Sequence, residues 1–138
     1  MKRITVAVCL DDENGMMFGG RRQSRDRILI EDFVRECSDR PICVGEYSRI
    51  LFAEYPQVQI TSNPLRDCPN GGVCFVEDQP LAPHLNEIET LILYRWNRLY
   101  PSDLRFDVDL RASGFSLVSS EEFEGSSHPK ITKEIYRK

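Results

Sequence analysis

The apolar residues of this chain fall into short runs with sharp polar breaks. Residues Ile4–Leu10 are apolar apart from Thr5, the pattern of a strand covered on both faces. Asp11-Asp12 ends that run, and Asn14-Gly15 is a strong turn signal. Similar runs at Pro41–Gly45, Val58–Thr61, Val73–Val76 and Thr90–Tyr94 predict further strands, with Asn63-Pro64 and Asn70-Gly71-Gly72 as punctuation. Leu104–Leu110 alternates instead. Leu104, Phe106, Val108 and Leu110 share one face and Arg105, Asp107 and Asp109 the other, which predicts a half-buried strand. Phe115–Val118 and Ile131–Tyr136 complete the set.

Helical periodicity is rarer. Ile30, Phe33, Val34 and Cys37 form a stripe at spacings of three and four, so a helix is predicted from a Ser24 cap to about Cys37. Arg27, Glu31 and Arg35 lie four apart on its other face and can pair. Glu46–Glu54 predicts a second helix with Tyr47, Ile50 and Leu51 inward, while Pro80-Leu81-Ala82-Pro83 leaves little room for a long third one. Strands separated by short helices predict an α/β sheet, and the closing strands predict an antiparallel edge.

Composition sets the outer bounds. At 138 residues, 41% hydrophobic and 29% charged, the chain reads as one globular domain spanning 1–138. There is no repeat or linker. No apolar run reaches the roughly 20 residues of a membrane span, and Met1-Lys2-Arg3 leads into a strand rather than a secretory signal. The expected location is therefore cytoplasmic, away from membranes. The five cysteines, Cys9, Cys37, Cys43, Cys68 and Cys74, form no Cys-x-x-Cys motif. Cys68 and Cys74 flank a turn that could join them, but reduced thiols suit a cytosolic chain better. A net charge of −4 argues against bulk nucleic-acid binding, although Arg21, Arg22, Arg25 and Arg27 crowd into seven residues.

The order of these elements resembles the dihydrofolate reductase fold over the whole chain. Val6-Ala7-Val8 followed by Asp11-x-x-Asn14-Gly15 resembles that family's first strand and the loop over its active site. Phe33 stands eight residues before Pro41, where the family has a substrate-packing Phe. Pro41-Ile42-Cys43-Val44-Gly45 resembles the strand leading to the cofactor, and Ser126-Ser127-His128 resembles the Asn-Ser-His before the last strand. The resemblance implies a dihydrofolate-reductase-like α/β domain with a central, mostly parallel sheet and antiparallel C-terminal edge strands.

The same resemblance breaks at the functional positions. The family's acidic residue, one helical turn before the Phe, corresponds to Leu29, which cannot donate a proton. The phosphate-holding Arg after Gly45 corresponds to Glu46, which would repel a phosphate, although Ser48 remains. The Gly-Gly pair that lets backbone amides approach the cofactor corresponds to Tyr94-Arg95-Trp96. These departures argue against NADPH-dependent reduction, and no cofactor is expected. The chain also resembles short bacterial proteins labelled ribonuclease Z, through residues 21–27, 94–101 and 125–134. That label implies a two-zinc site. The chain has only His84 and His128 and no His-x-His-x-Asp-His, so no metal site is expected.

Two constellations remain for binding. Arg21–Arg27 precedes a helix N-terminus, where guanidinium groups and free amides suit an anion; the plain alternative is a solvated, salt-bridged loop. Arg95-Trp96-Asn97-Arg98-Leu99-Tyr100-Pro101 follows a core strand at its C-terminal end, where α/β sheets bind ligands. Trp96 and Tyr100 could stack a ring or simply fill space, and Arg98 could pair an anion. In Ser126-Ser127-His128, neighbours on a strand diverge and no orienting acid is evident, so a turn is expected rather than a nucleophile. The expected contacts are Arg22, Arg25, Arg95, Trp96 and Arg98, with Asp26 and Tyr100 beside them. The expected role is a non-reductase that binds a small anionic or aromatic ligand or a protein partner. The alternatives are a divergent reductase using Asp26 as its acid, a metal-independent RNA-cleaving protein using the arginines and His128, and a homo-oligomer with Trp96 and Tyr100 at its interface.

Overall fold

A computed structural model describes residues 2–138. Ten strands are present: β1 (Ile4–Leu10), β2 (Gly15–Phe18), β3 (Arg21–Arg22), β4 (Ile42–Gly45), β5 (Gln59–Thr61), β6 (Val73–Phe75), β7 (Ile88–Arg95), β8 (Leu104–Arg105), β9 (Ser116–Phe123) and β10 (Ile131–Arg137). The helices are α1 (Arg27–Glu36) and the single turn α2 (Pro64–Asp67), with 3-10 segments at Glu46–Phe52 and Ala82–Glu87. The main sheet has seven strands in the order β5-β4-β6-β1-β7-β10-β9. β5, β4, β6, β1 and β7 pair in parallel, and β10 then runs antiparallel to both β7 and β9. The expected α/β sheet, parallel at its centre with an antiparallel C-terminal edge, is therefore present. A small sheet, β3-β2-β8, flanks it.

Alternation along β1 explains its continuous apolar run. Ile4, Val6, Val8 and Leu10 face one core, which Met16 and Met17 on β2 and Leu81, Val108 and Phe115 from the loops complete. Ala7 faces the other core, formed with α1 and containing Leu29, Ile30, Phe33 and Val34. Phe33, Phe52 and Phe75 pack there as a trio, with centroids 5.3 to 6.0 Å apart. Each such aromatic pair adds about 0.5–1.5 kcal/mol beyond simple burial.

Several boundaries differ from the sequence expectation, each for a local reason. Asp26, not Ser24, caps α1, because its carboxylate accepts from the amides of Ile28 and Leu29. The segment after Gly45 is 3-10 rather than α-helical. Leu104–Leu110 keeps the expected in-and-out burial, but only Leu104–Arg105 joins a ladder. Asp107 instead accepts from the amides of Leu81 and Ala82, so this stretch ties down a loop. The final hairpin is longer than predicted: β9 runs through Glu121 and Glu122, whose exposure at the sheet edge suits their charge. All five cysteines are free thiols, Cys68 and Cys74 included.

Candidate functional site

Parallel strands deliver their C-terminal ends to one side of the sheet, and a cleft lies there. β1 contributes Cys9, the end of β6 contributes Phe75, Val76 and Glu77, and the residue after β7 contributes Trp96. Met16, Leu29, Ile30 and Leu51 add apolar wall, and Arg22 through Asp26 form one rim. The enclosed volume is about 20 Å³, and the rest of the cleft opens to solvent.

Asp26 organises the floor. Its carboxylate caps α1 and also accepts from the amides and hydroxyls of Ser126 and Ser127, at 2.8 to 3.2 Å. Helix α1 and the turn before β10 are thus held by one side chain. Burial alone would raise the Asp26 pKa. The hydrogen bonds from Ser126, Ser127, Leu29 and His128 outweigh it and hold the carboxyl well below the usual carboxylate range. The turn fits over Asp26 only because residue 125 is glycine, since a Cβ there would press on the Asp26 carboxyl and on Ile131.

The same turn carries His128, whose side chain is almost wholly buried. Its Nδ1 lies 3.3 Å from Asp26 Oδ2 and 3.2 Å from Ser127 Oγ. Its Nε2 lies 3.2 Å from Ser24 Oγ and 2.9 Å from the Tyr100 hydroxyl. A carboxylate can only accept, so Nδ1 carries the proton toward Asp26, and the single Nε2 lone pair accepts from one of the two hydroxyls at a time. The Trp96 indole stacks on the imidazole, 4.4 Å between centroids.

The arginine rim divides into spent and free charge. Arg22 donates to both carboxylate oxygens of Glu77 at 2.9 and 3.1 Å and to the Tyr47 carbonyl, and it lies over the Tyr47 ring. Ser48 donates to the same Glu77 at 2.8 Å. Arg25 is exposed and forms no ion pair with any described residue. Gln23 donates to Asp11 and to the Pro101 carbonyl, which fixes the orientation of its amide and leaves Oε1 a buried acceptor with no partner.

The structure brings four of the sequence-selected residues, Arg22, Arg25, Asp26 and Trp96, to this cleft. Arg95 points its charge elsewhere, to Glu134 at 2.7 Å and to Asn14. Arg98 is exposed and does not line the cleft, and Tyr100 reaches it only through His128. Of the positions compared with the reductases, Leu29 is in the cleft wall, Phe33 is fully buried in the aromatic trio, and Glu46 is exposed and paired with Arg49. The Ser48 hydroxyl, the one remaining phosphate ligand of that set, is consumed by Glu77. His84 pairs with Glu87, apart from His128, and no group of three or more metal-ligating side chains occurs among the described residues.

Sequence reading takes Ser24 as a helix cap, gives Gln23 no role beyond the Arg21–Arg27 stretch, does not select Glu77, and reads His128 first as a turn residue, keeping it only in the RNA-cleaving alternative. The turn is there, closed by the Gly125 amide on the His128 carbonyl, yet the orienting acid it lacked in sequence is Asp26, 102 positions away. Glu77 was within reach of the rule used for Trp96, because it too follows the C-terminal end of a core strand.

Comparisons with known proteins give the fold. No family model matches the chain, and no curated protein matches it. Among solved structures, dihydrofolate reductase from Enterococcus faecalis, complexed with NADP(H) and RAB-propyl, superposes with a TM-score of 0.68 at 12% identity, covering 98% of this chain and 95% of that one. The fold is thus dihydrofolate-reductase-like. The resemblance to proteins labelled ribonuclease Z finds no support in these comparisons.

Proposed function

We propose that this chain is a non-reductase of dihydrofolate-reductase-like fold whose cleft binds a small aromatic anion. The observation that carries the reading is the placement of Trp96 and the unpaired Arg25 on one cleft, a ring wall beside a free cation. A flat ligand would pack against Trp96 and the aliphatic wall and set its carboxylate on Arg25.

Reduction is argued against by the same residues. Leu29 offers no proton, Glu46 stands where the resemblance has a phosphate-holding Arg, and the bulk of Trp96 replaces glycine at the end of β7. 4-Hydroxybenzoate is a probe of the stated chemistry. It is expected to change the fluorescence of Trp96, the only tryptophan, in a saturable way, and Arg25→Ala is expected to weaken it about tenfold. A flat titration in the wild-type protein would refute this reading.

A further inference from the structure

We propose that Ser24 is a nucleophile, activated by His128 and oriented by Asp26, and that the cleft hydrolyses small carboxylic esters. This deepens the ligand reading above and rests on the same cleft. The chain of groups is Ser24 Oγ to His128 Nε2 at 3.2 Å, then His128 Nδ1 to Asp26 Oδ2 at 3.3 Å. A hydroxyl, a base and a third group that orients the base are the parts an activated serine needs, and distances of this length tighten once substrate is bound.

Three further observations support the assignment. Ser24 and Asp26 both line the cleft, but the Asp26 and His128 side chains are buried, so of the three only Ser24 is partly exposed. The base is held rigidly: Trp96 covers one face of its ring, and Asp26 is itself fixed by the Ser126 and Ser127 amides. Cys9, the thiol in the same cleft, is a poor competitor, because burial and the charges of Glu77 and Asp26 push its pKa well up.

In the reaction, Ser24 Oγ forms a bond to the acyl carbon as its proton passes to Nε2. The Tyr100 hydroxyl, 2.9 Å from that nitrogen, can accept the new N–H. Breaking the ester C–O bond releases the alcohol, which takes the proton from Nε2. Water then attacks the acyl-Ser24 carbonyl, gives its proton through Nε2 to the departing Ser24 oxygen, and frees the carboxylic acid. Arg25 supplies the cation on the rim for the charge that develops on the carbonyl oxygen.

The test is covalent labelling of the intact protein by diisopropyl fluorophosphate, with the modified residue mapped by peptide mass spectrometry. The expected result is one label per chain on Ser24, lost in Ser24→Ala and slowed at least about 100-fold in His128→Gln. No label, or a label on Ser126 or Ser127 instead, would overturn the proposal. Ser24 is partly exposed and its side chain bonds only to His128, so Ser24→Ala should fold, and the wild-type mapping decides the matter even if His128→Gln does not. The reagent needs only the serine and its base. A failure here alongside saturable 4-hydroxybenzoate binding would remove the esterase and leave the binding cleft standing.

Discussion

The indole of Trp96 lies on the imidazole of His128, with 4.4 Å between ring centroids and 24° between planes. One residue directly follows strand β7 and the other closes the turn into β10, so the stack joins the cleft wall to its polar floor. Trp96→Ala is expected to destabilise the fold by about 3–5 kcal/mol and to abolish saturable binding of 4-hydroxybenzoate. Thermal melts and calorimetric titration of the variant check both.

Gly125 is fixed by contact rather than by backbone freedom. Any Cβ at this position meets Asp26 and Ile131. Gly125→Ala should cost about 1–3 kcal/mol and shift the His128 ring resonances in an NMR spectrum, because the turn must lift off Asp26. Gly45→Ala, where an added Cβ meets only the Pro64 ring at 3.6 and 3.8 Å, provides a comparison in which the His128 resonances stay put.

Acid should unlock the same junction. The Asp26 carboxyl is held below its unfolded value, so its contribution to stability is complete above about pH 4 and is lost as pH falls toward the depressed folded value. Asp26→Asn turns an NH₂ toward amides that already donate. It is expected to cost about 3–5 kcal/mol at neutral pH and to flatten the dependence of stability on pH below 4. Urea unfolding across pH 2 to 7, in wild type and variant, measures both effects.

A second buried charge sits away from the cleft and should behave differently. Lys133 on β10 pairs with Asp32 at 2.9 Å and with Glu36, while Tyr94 donates to Asp32 at 2.7 Å. Lys133→Met removes the buried cation between Asp32 and Glu36 while Arg35 still pairs with Asp32 at 2.9 Å, and it is expected to cost about 1–3 kcal/mol, with ligand binding and serine labelling unchanged in the folded fraction. Urea unfolding together with the labelling assay would expose any coupling between the two sites.

The sequence made the sheet legible because β1, β4, β6 and β7 are buried on both faces, and continuous apolar runs are what that environment demands. Trp96 was legible for a related reason: it follows such a run at the end where ligands bind. The short strands β2 and β3 were not, since their order comes from Asp11, which accepts from the Gly15 amide, from Gln23 and from the Tyr100 amide far along the chain. The same holds for the floor of the cleft. Ser24, Asp26 and His128 each satisfy a local turn or cap rule, and only the closure of β10 beside β7 brings them together. Arg95 shows the converse. Its position on the strand suited a ligand contact, but its cross-sheet partner Glu134 could be identified only from the pairing of β7 with β10.

The most direct test of a cleft that has exchanged cofactor chemistry for aromatic-anion binding is isothermal titration of the wild-type protein with NADPH and, separately, with 4-hydroxybenzoate. The account predicts saturable heat from 4-hydroxybenzoate and none from NADPH up to about 1 mM. Saturable binding of NADPH in that range would contradict it, because Glu46 and Trp96 would then have to be compatible with the cofactor they are argued to exclude.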